Sequence, residues 1–291
     1  MKNILITGSY GQLGNEINVL SKGYPQFNFL FTDVDSLDIC NKQAIEEFCT
    51  TNKVNYILNC AAYTAVDKAE EIDQQAICER INAQAVKNIG EVGSQIGAKI
   101  IHISTDYVFD GTNYIPYTED MKTCPTSVYG KTKLEGENLL KSVCKQAIII
   151  RTSWLYSSFG NNFVKTMIKV GKEKSDLNVI FDQIGTPTYA ADLAKAMLTI
   201  IELTEKDEKN FKSGTYHFSN EGVCSWYDFT LAIHELSGIT SCKVKPIETK
   251  DYPQKTPRPH YSVLNKAKIK FTFNIEIPHW QESLQKCIKT L

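Results

Sequence analysis

The sequence of 291 residues predicts an α/β protein: a doubly wound parallel sheet with a smaller mixed α/β substrate domain. Two observations predict this fold class. Short, continuously apolar segments alternate with segments of helical period, and a glycine-rich turn separates the first apolar segment from the first helix. Continuously apolar strands are typical of parallel sheets that helices cover on both faces. Right-handed crossovers then arrange such strands into a doubly wound sheet.

The individual elements follow from local patterns. Leu13, Ile17 and Leu20 lie on one face of the first predicted helix, and Asn41 is a suitable cap for the second. Apolar runs predict strands at residues 4–7, 27–31, 54–59, 98–104, 147–150 and 215–218. Helical periodicity predicts further helices at residues 42–49, 74–96, 129–143, 162–171, 190–203 and 226–237.

The alternation of strands and helices loosens after Arg151, which predicts a domain boundary there. We expect residues 1–150 to form a dinucleotide-binding domain that segments of 178–212 complete. Residues 151–291 are expected to form mainly a substrate-binding domain. Prolines mark turns throughout the last part of this region.

Composition and charge exclude several function classes. The 32 Lys and Arg residues balance 33 Asp and Glu residues without any basic block, which argues against a nucleic-acid partner. No apolar run reaches the roughly 18 residues of a membrane span, and the apolar start is too short for a signal peptide, so a cytoplasmic protein is expected. The nine cysteines form no C-x-x-C pair and the five histidines lack ligand spacing, which predicts reduced thiols and no metal site.

The glycine-rich turn indicates a dinucleotide site. Gly8, Gly11 and Gly14 lie between a predicted strand and a predicted helix, where glycines permit a tight turn and close approach of a pyrophosphate. The helix N-terminus offers free N–H groups to the phosphates. Asp33 ends the second predicted strand, where it can bind the adenosine ribose or serve as a plain turn residue. No arginine stands beside Asp33 to hold a 2′-phosphate, which favours NADH over NADPH.

Tyr129 and Lys133 form a second chemical cluster. At positions i and i+4 of a predicted helix they project from one face. A nearby ammonium is expected to lower the pKa of Tyr129, which makes it a usable general acid for an alkoxide forming from a ketone. The hydroxyl of Thr105, after the fourth predicted strand, can bond the same oxygen. Such a Tyr–Lys pair also occurs by chance on surface helices, but the glycine turn favours the catalytic interpretation.

Together these motifs resemble the extended short-chain dehydrogenase/reductase superfamily and, within it, the dTDP-4-dehydrorhamnose reductase family. The resemblance extends over nearly the whole chain. It rests on substrate-side blocks as well as on the glycine turn. These blocks are Asn59-Cys-Ala-Ala-Tyr-Thr-Ala-Val-Asp-Lys-Ala-Glu70, Ser104-Thr-Asp-Tyr-Val-Phe-Asp-Gly111, Tyr129-Gly-Lys-Thr-Lys-Leu-Glu-Gly136, Arg151-Thr-Ser-Trp154, Asn161-Asn-Phe163, Gly185-Thr-Pro-Thr188 and Arg258-Pro259.

The resemblance implies a Rossmann fold that reduces the 4-keto group of dTDP-4-dehydro-L-rhamnose to dTDP-L-rhamnose, with hydride from NADH or NADPH. It implies that Tyr129 protonates the C4 oxygen, that Lys133 holds the nicotinamide ribose, and that Thr105 completes the triad. The further cofactor contacts that it implies are Gly11, Gln12 and Leu13 at the pyrophosphate, Asp33, Asp38 and Ile39 near the adenosine, and Ala62, Tyr63 and Thr64 along the cofactor. The implied sugar-nucleotide contacts are Thr105, Asp106, Trp154 and Arg258.

Two alternatives stay open. A nucleotide-sugar epimerase or dehydratase of the same superfamily would retain NAD⁺ and turn over without net redox change. A non-catalytic regulatory subunit of the same fold would lack the catalytic set, which this chain retains. Residues 189–192 lack a glutamate that helps to bridge a metal-linked dimer in some relatives, which leaves Glu16 as one acid alone. We therefore expect no metal, and a monomer or a homodimer.

Overall fold

The computed structural model describes residues 1–291, which form strands and helices along the whole chain. The strands are β1 (Lys2–Thr7), β2 (Phe27–Thr32), β3 (Val54–Asn59), β4 (Lys99–Thr105), β5 (Ala147–Thr152), β6 (Leu155–Tyr156), β7 (Asp176–Ile180), β8 (Ile184–Gly185), β9 (Thr188–Tyr189), β10 (Gly214–His217), β11 (Cys224–Ser225) and β12 (Lys243–Ile247). The α-helices are α1 (Gln12–Ser21), α2 (Lys42–Thr51), α3 (Val66–Ala69), α4 (Ile72–Glu79), α5 (Ala85–Ile96), α6 (Val128–Val143), α7 (Phe163–Glu173), α8 (Ala190–Lys206), α9 (Trp226–Leu236), α10 (Ala267–Phe273) and α11 (Trp280–Ile288).

The central sheet has six strands in the order β10-β5-β4-β3-β1-β2, and every pairing in it is parallel. The order runs outward from β1 and β3 in both directions, with helices in the connections, which is the doubly wound arrangement. The predicted fold class is confirmed. All parallel strands end at one edge of the sheet, so the loops after β1 to β5 meet there.

Each helix and strand predicted from periodicity is present, with ends that differ by a few residues. Asn41 caps α2 as predicted, because its side chain accepts a hydrogen bond from the Ala44 N–H at 3.1 Å. The predicted long helix at 74–96 is interrupted by a π-helical turn at Arg80–Gln84. Within that turn the Asn82 side chain bonds both the N–H and the carbonyl of Tyr63, which ties the helix to the loop after β3.

None of the predicted elements corresponds to α3, α10, α11 or the short strands outside the central sheet. Four of these strands are only two residues long, β6, β8, β9 and β11. A two-residue strand has no period that a pattern could reveal, so its pairing depends on the tertiary fold alone. β7 and β12 pair with each other in a separate parallel ribbon.

Alternate residues of the strands pack on opposite faces of the sheet. In β1, Ile4 and Ile6 belong to a buried cluster with residues of α1 and α8, whereas Leu5 belongs to a cluster with residues of α2 and α5. A third apolar cluster lies under α7, α9 and α11, around Phe229 and Trp280. The α8 helix therefore covers the central sheet although it follows residue 151. β10 joins the central sheet and α10 packs against the same cluster, whereas α7 and β7 help to build a wall beside the sheet edge where the strands end.

No helix combines the length and apolar character that crossing a membrane requires. The thiols of all nine cysteines are free, as predicted, and six of these cysteines are buried.

Candidate active site

A cleft of about 760 Å³ lies along the sheet edge where β1 to β5 end, and we call it the first cleft. Its walls come from five loops of the chain and from α6. Most lining residues lie within residues 8–13, 33–40, 60–64, 103–107 and 152–155, at or directly after the ends of β1 to β5, and the others include Arg80 and residues 160–162. An open α/β sheet places its ligand site at this edge. A volume of this size suits a dinucleotide-sized ligand better than a single small metabolite.

The glycine turn brings backbone close to the floor of the first cleft. Gly8 adopts a positive φ of 66°, and a Cβ at this position would lie 2.7 Å from the Ala61 backbone. A Cβ on Gly14 would lie 2.5 Å from Ser9 Cα. Side chains are therefore excluded at both positions, as the sequence predicted for a turn with close approaches. Gly14 serves this packing and does not itself line the cleft.

The N-terminus of α1 opens toward the first cleft. Gly11 precedes the helix, and no side chain caps its first turn. The first N–H groups of a helix have no partner within it, so they remain available to an anionic ligand. The Asp33 carboxylate accepts hydrogen bonds from the N–H groups of Tyr10 at 2.8 Å and Val34 at 2.9 Å. These bonds tie the end of β2 to the glycine turn.

Tyr129, Lys133 and Thr105 all line the first cleft. The helix that carries Tyr129 and Lys133 begins at Ser127, whose hydroxyl accepts from the Gly130 N–H at 3.0 Å. Lys133 is buried, with 2% of its surface exposed, and its Nζ donates to the Ile103 carbonyl at 2.7 Å.

The protonation of this pair differs from the expectation in one respect. Burial raises the pKa of Tyr129 well above its ordinary value, and the interaction with Thr105 offsets this only in part. The expected lowering of the Tyr129 pKa by the Lys133 ammonium is therefore wrong. Burial instead lowers the pKa of Lys133 to about 8, because a charged amine loses its hydration there. At neutral pH Tyr129 consequently holds its proton, as a proton donor must.

Asp106 lies beside this group with an unusual carboxyl. Its Oδ1 accepts from the Thr105 hydroxyl at 3.0 Å, and its buried Oδ2 has no hydrogen-bond partner. Burial raises the pKa of Asp106 to about 7. Such a carboxyl changes charge near neutral pH, and Asp106 lines both of the two clefts described here.

A second cleft of about 670 Å³ adjoins the first, and the two share Asp106, Tyr107 and Trp154. Trp154 stacks on Trp226 with ring centroids 3.5 Å apart. The remaining walls come from α7, β7 and a segment around residues 252–262. Arg258 lines this cleft, donates to Asp67 at 2.8 Å, and keeps its buried Nη1 without a partner. An unpartnered guanidinium nitrogen is suited to bind an anionic ligand group.

The structure brings most of the residues singled out in the sequence into the first cleft. Those that line it are Gly8, Gly11, Gln12, Leu13, Asp33, Asp38, Ile39, Ala62, Thr64, Thr105, Asp106, Tyr129, Lys133 and Trp154. Tyr63 lines neither cleft, because its hydroxyl donates to Gln74 and its N–H to Asn82. That Tyr63 flanks a cofactor, as the resemblance implies, stays a prediction.

Several lining residues escaped the sequence argument. Arg80, on the π-helical turn, lines the first cleft together with Asp33, although it lies far away along the chain. Arg80 therefore supplies this cleft with an arginine side chain that the sequence neighbours of Asp33 do not provide. Asn162 also lines the first cleft and donates to the Gln12 side chain at 3.0 Å. Asn162 belongs to the Asn161-Asn-Phe163 block on which the resemblance rests, although no site role was predicted for it, and no spacing in the sequence signals Arg80.

The sequence of this chain is similar to a known protein family over its whole length. The family model described as RmlD substrate binding domain matches residues 1–291. The chain is 40% identical to a dTDP-4-dehydrorhamnose reductase of Aggregatibacter actinomycetemcomitans, over 98% of either chain. It is 38% identical to a protein of the same name from Escherichia coli strain K12, over 99% of this chain and 98% of that one.

Solved structures give the same result. The crystal structure of a dTDP-4-dehydrorhamnose reductase from Clostridium acetobutylicum superposes with a TM-score of 0.92 at 46% identity, over 99% of both chains. A protein of that name from Bacillus anthracis, in complex with NADP, gives 0.92 at 35% identity over 100% of both chains. A dTDP-glucose 4,6-dehydratase in complex with NAD gives 0.79 at 17% identity, which shows the shared fold alone.

Proposed function

The chain belongs to the RmlD substrate binding domain family, the family of the dTDP-4-dehydrorhamnose reductases, and from this premise we propose that it reduces dTDP-4-dehydro-L-rhamnose to dTDP-L-rhamnose with NADPH or NADH. It is an oxidoreductase of the Rossmann type. The observation that carries the proposed reaction is the meeting of the two clefts beside Thr105 and Tyr129. One cleft is suited to a dinucleotide and the other to a sugar nucleotide, so both ligands can present their reactive ends at this boundary.

The residues of the first cleft fit a nicotinamide dinucleotide. The absence of side chains at Gly8 and Gly11 leaves room beside the backbone, which any larger residue would occupy. The uncapped start of α1 there suits a pyrophosphate. A similar protein binds NADP in its crystal structure. Arg80 adds a positive charge to the wall that Asp38 and Cys40 also form, which supports acceptance of a 2′-phosphate. When bound, the reduced nicotinamide supplies the hydride for C4 of the sugar.

Tyr129 is the proposed proton donor for the C4 oxygen. Its raised pKa keeps the phenol protonated in the resting protein, and transfer of that proton neutralises the alkoxide as it forms. In the resting protein the Thr105 hydroxyl donates to Asp106, and its single proton turns to the ketone oxygen when the substrate lies within reach of Tyr129. The Lys133 ammonium stabilises the phenolate that remains after the transfer, and its Nζ has only one carbonyl acceptor, so it can also hold a ribose hydroxyl.

The second cleft is the proposed site of the dTDP moiety. Arg258 offers an unpartnered N–H to the anionic pyrophosphate of the substrate. The stacked pair Trp154 and Trp226 forms an aromatic wall near the boundary, which a sugar or base can contact. These contacts would place the 4-keto sugar beside Thr105.

A turnover assay tests the proposal. Purified protein mixed with NADPH or NADH and dTDP-4-dehydro-L-rhamnose is expected to lose absorbance at the reduced-nicotinamide band and to release dTDP-L-rhamnose, identified by mass. Absence of turnover with both cofactors would refute the reductase function. Tightly bound NAD⁺ with redox-neutral conversion of a nucleotide sugar would establish an epimerase or dehydratase instead. Binding of both ligands without conversion would establish a regulatory role.

A further inference from the structure

A buried histidine lies behind the catalytic lysine, and the proposed reaction gives it no role. His102, on β4, has no exposed surface. Its Nε2 lies 3.4 Å from Nζ of Lys133, and its Nδ1 lies 3.0 Å from Nδ2 of Asn59. Both neighbours are buried as well, so no water competes for these contacts. The contacts therefore decide which ring nitrogen carries the proton.

The orientation of the Asn59 amide follows from a backbone group. The N–H of Ala61 donates to Asn59 Oδ1 at 3.2 Å, and the Thr7 hydroxyl donates to the same oxygen at 2.7 Å. A backbone N–H can only donate, so this atom is the amide oxygen and the atom facing His102 is the amide nitrogen. Asn59 therefore donates to His102.

The donor on Asn59 determines the tautomer of His102. An Nδ1 that accepts a hydrogen bond carries no proton, and burial disfavours the doubly protonated ring by lowering the His102 pKa. The single proton of the ring therefore lies on Nε2, where it faces the Lys133 amine. An Nε2–H donates well to a neutral amine, whose lone pair accepts it, but it opposes an ammonium, which can only donate. The hydrogen-bond chain thus disfavours the charged form of Lys133.

The other ionisable groups around Lys133 act differently. Glu137, on the same helix, favours the ammonium, but its carboxylate is already paired with Arg151 on β5 at 2.7 Å. Tyr129 shares the helix and holds its proton. Cys78, on α4, contacts Thr132 and adds a smaller effect of the same sign as Glu137. Glu70, near the start of α6, is occupied by the Val128 N–H. Only His102 presents an N–H directly to Nζ.

We propose that His102 is a positioning residue: its Nε2–H, oriented by Asn59, faces Nζ of Lys133 and sets the upper pH limit at which Lys133 supports Tyr129. The inference rests on the proposed reductase function, because it concerns the ammonium that stabilises the Tyr129 phenolate. Activity is lost as pH rises and the ammonium gives up its proton. A change that turns the His102 donor into an acceptor moves this loss to higher pH.

The Asn59→Asp variant makes that change with almost no difference in size. Its carboxylate can accept from Ala61, from Thr7 and from a proton on His102 Nδ1, which leaves Nε2 free to accept from the ammonium. We expect the alkaline limb of the pH profile, where kcat/KM falls as pH rises, to move to higher pH by about one unit. His102→Leu removes the donor and should move the limb in the same direction. Thr7→Val is the matched control, because Ala61 still orients the amide, and its limb should stay in place.

A second measurement keeps the tautomer testable without substrate or turnover. Proton–nitrogen correlation spectra of the protein labelled with ¹⁵N-histidine report which ring nitrogen of His102 is protonated, with the His102→Leu spectrum assigning the signal. We expect Nε2 protonated in the parent protein and Nδ1 protonated in Asn59→Asp. A proton on Nδ1 in the parent, or an alkaline limb that does not move in a folded Asn59→Asp, would overturn the inference. Failure of the parent to reduce the substrate would refute the proposed function and leave the spectra readable.

Discussion

The two clefts of this protein meet at Asp106, Tyr107 and Trp154 but are built in opposite ways. The first cleft is formed mostly by short runs at the ends of strands, together with side chains such as Tyr129 and Arg80, and its backbone packs tightly at Gly8. The second cleft consists of side chains from α7, β7 and a distant segment around Arg258. Backbone at strand ends is positioned by the sheet itself, whereas a side-chain wall depends on packing between distant segments.

This difference predicts how variants should behave. A change in the backbone cradle should impair dinucleotide binding, a change in the side-chain wall should impair sugar-nucleotide binding, and a change at the reacting centre should impair turnover alone. Separate measurements of NADPH affinity, substrate KM and kcat distinguish these outcomes.

The largest effect is expected for Tyr129→Phe. The variant lacks the proton that the C4 oxygen needs, so kcat should fall by about a thousandfold, whereas NADPH affinity and substrate KM change little. Stopped-flow absorbance at the nicotinamide band measures the rate. Tyr114→Phe is the control, since Tyr114 is 87% exposed and lines neither cleft. Unchanged kcat in Tyr129→Phe would exclude this tyrosine as the acid.

The next largest effect is expected for Gly8→Ala, which should weaken binding in the first cleft and not in the second. The positive φ and the 2.7 Å approach to Ala61 force the turn to move, which should weaken NADPH binding roughly thirtyfold, or about 2 kcal/mol. Fluorescence titration with NADPH measures this. Gly97→Ala provides a matched control, because Gly97 has a φ of 73° but open space around its Cβ. Equal losses of NADPH affinity in both variants would mean that the close approach at Gly8 has no role in binding.

Arg258→Ala should weaken binding of the sugar nucleotide and not binding of the dinucleotide. Loss of one charge-assisted hydrogen bond should raise substrate KM about tenfold and leave NADPH affinity unchanged. Lys255→Ala is the control, since Lys255 pairs with Glu71 at the surface and lines neither cleft. A rise in the dissociation constant of NADPH instead would assign Arg258 to the dinucleotide and would contradict the division between the clefts.

The same division explains what the sequence could predict. Gly8, Gly11 and Asp33 were identifiable because a strand, a turn and a helix follow one another along the chain, so the local pattern also predicts that they line the same cleft. The Tyr129 and Lys133 pair was identifiable because helical spacing alone places both on one face. These are cases in which neighbours in the sequence are also neighbours in space.

The features of the site that the sequence did not reveal depend on contacts between segments that lie far apart along the chain. Trp226 meets Trp154, and Arg80 reaches the wall shared with Asp33, without any spacing that signals either contact. The pKa of Tyr129 was mispredicted for the same reason, because helical spacing reveals its neighbour Lys133 but not the depth of burial that dominates. Burial is a property of the packed structure, so it could not be obtained from spacing.

The last effect concerns stability and not turnover, and it is expected at the boundary of the clefts, in Asp106→Asn. Because its folded-state pKa of about 7 lies above that of an exposed carboxyl, the folded protein binds a proton more tightly than the unfolded chain. The resulting stability is present at low pH and is lost as pH rises toward about 7. Asparagine does not ionise, so the variant should gain about 2 kcal/mol relative to the parent between about pH 5 and about pH 8.

Urea unfolding at both pH values measures the difference, with Asp251→Asn, a change of an exposed carboxylate, as the control. If Asp106→Asn and the parent lost stability equally over this range, Asp106 would be charged throughout. The boundary would then carry a fixed negative charge toward the anionic substrate, and the Arg258 wall would have to overcome it.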